Sequence, residues 1–242
     1  MAEPLSADRF LSLVKARGVD VQEQAGWKTH NRNKQGPWGP VHGVLLHHNA
    51  GSGQVKSDVA YAKKGSSDLP GPLYAGLVAP DGTLHMVGWG RVNHAGKGDG
   101  DVLRAVIAET ATLPPDNQAD TDGNRHFYGF SFITKADGST PITREAQQTM
   151  ALVAYVICEH HNWTERSVIA HADWQPGKPD PAPHPSIRRQ VQALVADLQK
   201  AGAPGEPPQP PEAPSTIKEL TEVVEQLTER VKDLENWRNW RG

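Results

Sequence analysis

Two histidines, His47 and His48, close the apolar run "VHGVLLHHNAG". Far downstream, "HADWQPGKPDP" brings together His171, Asp173, Lys178 and Asp180, and His184 follows three residues later. Neutral imidazole is a common metal ligand and an acid or base near neutral pH. Two imidazoles and one carboxylate leave the fourth position of a tetrahedral zinc site open for water, which is what hydrolysis needs. Zinc would bring the pKa of that water to roughly 7. A lysine close by could stabilise the oxyanion of a tetrahedral intermediate. Each residue also has an ordinary structural use. A histidine ending a buried strand can be a satisfied core residue, and a Pro/Gly-rich stretch with Asp and Lys can be only a surface loop. Adjacent residues on a strand point to opposite faces, so His47 and His48 supply one candidate ligand and one supporting residue.

The elements that would position these groups can be read from periodicity and caps. Ser6 precedes "ADRFLSLVKAR", where Phe10, Leu11 and Val14 share a face and Gly18 supplies a stop. "VHGVLLHH" reads as a buried strand ending at the histidines. "LYAGLVAPDGTLHMVGWG" reads as a hairpin turning at Pro80-Asp81-Gly82. "FYGFSFITKADG" is a further strand, and "TREAQQTMALVAYVICEHHN" is a long helix capped by Thr143. "SVIAH" is a short strand that delivers His171 to its carboxyl end, and "SIRRQVQALVADLQKAG" is an amphipathic helix that closes the domain.

Composition narrows the class of function. A net charge of −3 lacks the basic footprint of a nucleic-acid binder. One cysteine, Cys158, leaves no internal disulfide framework, and its place in an apolar helical run marks it as a small buried hydrophobe. No stretch approaches the ~18 apolar residues of a membrane span. The N-terminus "MAEPLSADRF" has neither a basic nor an apolar signal region, which predicts synthesis without a secretory signal.

Residues 201–215 carry six prolines in fifteen positions and read as an extended spacer. Residues 216–242 then show heptads, with Ile217, Val224 and Val231 at a and Leu220, Leu227 and Leu234 at d. That combination favours a parallel two-stranded coil. The tail therefore reads either as a homodimer contact or as a helix docking on its own domain. The chain divides into residues 1–200 as the domain that carries the histidine and aspartate motifs, 201–215 as a linker and 216–242 as an amphipathic helix.

The order of these motifs resembles that of the zinc-dependent N-acetylmuramoyl-L-alanine amidases related to peptidoglycan recognition proteins, above all the amidase domains of bacteriophage endolysins. "VLLHHNAG" is similar to that family's strand ending in His-His-Thr-Ala-Gly, whose first histidine binds zinc. Tyr74 stands seven residues before Asp81 of the hairpin, as in the family's next segment. "GRVNHAGKG" is similar to the His-Ala-Gly that follows, and "HADWQPGKPDP" to the last segment, where a lysine stands two residues before the final ligand. The resemblance covers about residues 6–200. It implies an α/β fold with a central mixed sheet flanked by helices. It implies zinc held by His47, His171 and Asp180, with Tyr74 and Lys178 at the scissile carbonyl or the zinc water. His94 would line the groove and His48 would contact substrate. Tyr74 can also be read as a half-buried strand aromatic, His94 as a turn residue, Asp173 as a loop brace and His184 as a reserve ligand. The substrate implied is bacterial peptidoglycan, cut between N-acetylmuramoyl and L-alanine; the alternative readings are a non-catalytic peptidoglycan-binding module and a bacterial autolysin of the same chemistry. An endolysin of this kind would stay in the host cytoplasm until released to the wall. One departure stands out: some members carry a glutamate in a Gly-Ile-Glu strand as proton acceptor, and the matching run "YGFSFIT" has Ser131 near that place. Serine cannot serve as a carboxylate base, so Tyr74 and Lys178 or another residue would manage the proton.

Overall fold

Ser6 opens the first helix, α1 (Ala7–Ala16), by accepting the Arg9 N–H at 3.2 Å, and Phe10 and Val14 fall on its buried face. In the computed structural model, which describes residues 2–201, a short strand β1 (Val21–Glu23) follows. Next come β2 (Gly43–His48), the run ending at the two histidines, and helix α2 (Val55–Lys64). Strands β3 (Gly76–Val78) and β4 (Leu84–Met86) form the antiparallel hairpin, turning where Gly82 takes a φ of 88° that suits glycine. Beyond it lie β5 (Lys97–Gly98), α3 (Gly100–Ile107), β6 (Thr121–Asp122) and the one-turn α4 (Gly123–His126). The chain then runs through β7 (Phe127–Phe132), α5 (Arg144–His161), β8 (Val168–Ala170), α6 (His171–Trp174) and α7 (Ser186–Lys200). Thr143 caps α5 as its position implied, accepting the Ala146 N–H at 3.1 Å. The spacer and the heptads, with any dimer built on them, lie outside the described residues.

Helices α2 and α3 have no counterpart in the sequence reading. α2 buries only Asp58, Val59 and Ala62, too few apolar positions to show a period. α3 has eight residues and starts where the Asp99 carboxylate accepts the Asp101 N–H at 2.7 Å.

The main sheet has the order β1-β4-β3-β7-β2-β8. Only β3 and β4 pair antiparallel; the other neighbours are parallel, so the sheet is mixed. Helices cover both faces, and the central strands therefore read as unbroken apolar runs. Val44 and Leu46 of β2 face a core built with α1, α5 and α7. Leu45, between them, faces the other way, onto Phe127, Ile169, Trp174 and the apolar side of α3. Cys158 is buried within α5. Among the described residues no helix is long and apolar enough to cross a membrane.

Histidines also gather at the end of the sheet where β2 and β7 begin. His42 and His126 lie 5.5 Å apart between ring centroids, and the Tyr128 hydroxyl lies within hydrogen-bond distance of His161 Nε2, at 3.0 Å. Burial, and then the charge of neighbouring histidines, lowers His42 and His161 to about 4 from the ordinary 6.5. The folded chain thus binds fewer protons than the unfolded chain between those values. Their contribution to stability is complete above pH 6.5 and is lost as the pH falls toward 4. Both rings are partly solvated, which limits the effect to about 1 kcal/mol each. We expect the melting temperature to drop between pH 7 and pH 4.5, and expect His42→Gln to shrink that drop. Equal drops in the two proteins would show that this cluster is not the acid-sensitive element.

Candidate metal centre

Alternation along the strands determines which side chains can meet. On β2, His47 lies two residues beyond Leu45 and shares its face. On β8, His171 lies two residues beyond Ile169, and Leu45 pairs with Ile169 in parallel register. Two side-by-side strands therefore deliver two histidines to the same rim, and the ring centroids are 4.5 Å apart. The rim lies at the carboxyl ends of the parallel strands, where open α/β sheets form their clefts. His48, at the very end of β2, stands on the wall of the same cleft, and its Nδ1 accepts the Ala182 N–H at 3.3 Å.

Asp180 closes the set. Its carboxylate lies 3.0 Å from His47 Nδ1 and 3.1 Å from His171 Nδ1, and all three residues are buried. Burial would raise the Asp180 carboxyl, but hydrogen bonds with His171 and His47 outweigh it and hold the group well below the usual carboxylate range. His47 is lowered to about 4, first by burial and then by the neighbouring charge of His171. It is therefore a neutral imidazole near pH 7.

The donor set fits a zinc ion. One atom from each of His47, His171 and Asp180 lies within 4.8 Å of the others. His171 Nε2 lies 3.0 Å from Gln175 Oε1, an acceptor for the proton that Nε2 would carry once Nδ1 turned its lone pair to a metal. Two imidazoles and a carboxylate make a three-ligand set that keeps an open position.

The cleft over these residues holds about 470 Å³ and is lined by both histidines of β2, Tyr74, His94, His171, Lys178 and Asp180, among others. The Tyr74 ring lies 5.3 Å from that of His47. Its phenol is pushed up by burial, with Asp180 adding to the rise and the Ser131 hydroxyl opposing it. Lys178 is exposed at the rim, in a turn where its N–H donates to the Gln175 carbonyl. His94 exposes only 9% of its surface and stands against His47, its Nδ1 3.0 Å from His47 Nε2. Ser131 is fully buried and pairs with His47 across β2 and β7, so it does occupy the wall beside the cluster. Asp173 turns away from the cleft, accepts the Ala170 N–H at 2.8 Å and pairs with His184 at 2.9 Å. His184 is thereby engaged outside the cluster.

Sequence reasoning missed Gln175, Asn124 and Gly129. Gln175 stands four residues after His171, one helical turn on, a spacing that could have marked it as a partner. Gly129 is a glycine inside a strand, a sign of close approach by another group. Asn124 left no sign: its Oδ1 accepts the backbone N–H groups of both His94 and Ala95 at 2.8 Å.

Residues 37–183 match the family model described as N-acetylmuramoyl-L-alanine amidase. Comparison with curated proteins gives no match. Among solved structures, a mutant endolysin from Bacillus subtilis is similar, with 18% identity, a TM-score of 0.48, and coverage of 73% of this chain and 99% of that one. The N-acetylmuramoyl-L-alanine amidase LysC from Clostridium intestinale shares 14% identity at a TM-score of 0.41, over 71% of this chain and 97% of that one. A Drosophila peptidoglycan recognition protein, SA, shares 15% identity at a TM-score of 0.42, over 75% and 91% respectively.

Proposed function

The chain belongs to the N-acetylmuramoyl-L-alanine amidase family, and from that premise we propose that it is a zinc hydrolase of the endolysin type. It cuts the amide between the lactyl group of N-acetylmuramic acid and L-alanine in bacterial peptidoglycan. The observation that carries this reading is the convergence of His47, His171 and Asp180 at the floor of one cleft. In this reading the three residues hold the metal. When bound, zinc supplies Lewis acidity that polarises an amide carbonyl and brings the pKa of water to about 7.

The chain's own groups do the rest. Burial keeps the Tyr74 phenol protonated at neutral pH, so its hydroxyl can donate a hydrogen bond to the scissile carbonyl oxygen as negative charge develops there. Lys178 brings a positive charge to the same oxygen from the rim. No carboxylate stands at Ser131, and we assign to Tyr74 and Lys178 the proton that the departing alanine amine must receive. His48, on the cleft wall and braced by the Ala182 N–H, would contact the substrate beside the reacting bond. Residues 1–200 would be the catalytic head, 201–215 its spacer, and 216–242 a segment for self-association or wall attachment.

Digestion of purified peptidoglycan tests the reaction. We expect new free amines without new reducing sugar ends, and expect a chelator to stop their release. New reducing ends would mark a glycosidase, and amine release indifferent to chelation would remove zinc from the mechanism.

A further inference from the structure

We infer that His94 is a positioning residue for His47, holding that ring with its Nδ1 turned toward Asp180 and the metal. The inference rests on the zinc reading above. A histidine that gives its Nδ1 lone pair to a metal carries its proton on Nε2, and that buried N–H needs an acceptor. For His171 the acceptor is Gln175 Oε1 at 3.0 Å. For His47 the atom in that place is His94 Nδ1, also at 3.0 Å, with the two rings nearly perpendicular at 85°.

His94 is built for this contact more than for the open cleft. Its other nitrogen, Nε2, is buried as well. Two further residues hold it there. Asn124 fixes its backbone through the N–H groups of His94 and Ala95. Gly129 of β7 pairs with Leu45, two residues before His47 on the same sheet face, and a Cβ at Gly129 would overlap the His94 ring. The missing side chain at Gly129 is therefore what seats His94 under His47.

Zinc affinity of the full chain, measured by competition with a chromogenic chelator, tests the assignment. We expect His94→Leu to bind zinc 10–100-fold more weakly, the usual cost of losing such an outer partner. His94→Asn should stay within a few-fold of the parent, because its amide oxygen can stand near the lost Nδ1. A role as mere filling predicts the reverse order, since leucine keeps the volume and asparagine does not. Gly129→Ala, which keeps His94 but displaces its ring, should also weaken zinc binding, and it carries the same expectation if His94→Leu does not fold. Equal zinc affinity in the parent, His94→Leu and Gly129→Ala would overturn the inference while leaving the zinc reading intact. A parent chain that takes up no zinc would overturn both.

Discussion

His171→Ala is expected to lower amine release from peptidoglycan by roughly a thousand-fold or more, and to leave the chain folded. Loss of an outer partner of a ligand typically costs 10–100-fold, and His171 is assigned as a ligand itself. Its Nδ1 reaches the Asp180 carboxylate at 3.1 Å from a strand end that no other histidine of the cluster shares. The stability cost is smaller in kind. His47 remains 3.0 Å from Asp180, so the buried carboxylate keeps one partner. The metal-free variant should lose about 1.5–3 kcal/mol, the worth of a hydrogen bond to a charged group. Urea denaturation of the metal-free proteins and amine release by the zinc-loaded ones measure the two effects separately. A folded His171→Ala protein with unchanged activity would sink the zinc assignment.

Tyr74→Phe carries the second-largest expectation. The substitution keeps the ring and its packing beside His47 and removes one hydroxyl. Loss of one oxyanion donor typically costs a hundred- to a thousand-fold in turnover. We expect a fall of about that size in kcat, with KM and zinc content little changed. The KM-against-kcat split matters because a phenol that only packed the wall would alter binding of substrate or metal instead. Turnover within two-fold of the parent would remove Tyr74 from the chemistry and leave the oxyanion to Lys178 alone.

Much of the local structure could be read in advance because its causes are local. Ser6 and Thr143 cap their helices through groups three residues away. The hairpin turn at Pro80-Asp81-Gly82 follows from glycine's tolerance of positive φ. The shorter helices were harder to see. Asp99 caps α3, but eight residues give too short a stretch for periodicity to stand out. His94 shows a different difficulty. Its motif placed it near the cleft, but which atom it would meet depends on a bare glycine from β7 and an asparagine from α4.

By itself, then, the sequence determined that His47 and His48 diverge, that His171 ends a strand, and that Lys178 and Asp180 follow in a proline-braced loop. These follow from backbone periodicity and turn chemistry, which act over a few residues. That His47 meets Asp180, 133 positions away, was decided only by the tertiary structure. The parallel register of β2 with β8 puts Leu45 opposite Ile169, and the two histidines emerge together one pleat later. Register between strands is chosen by burial on both sheet faces at once. That choice involves residues from α1 to α7, and no short window of the chain contains it.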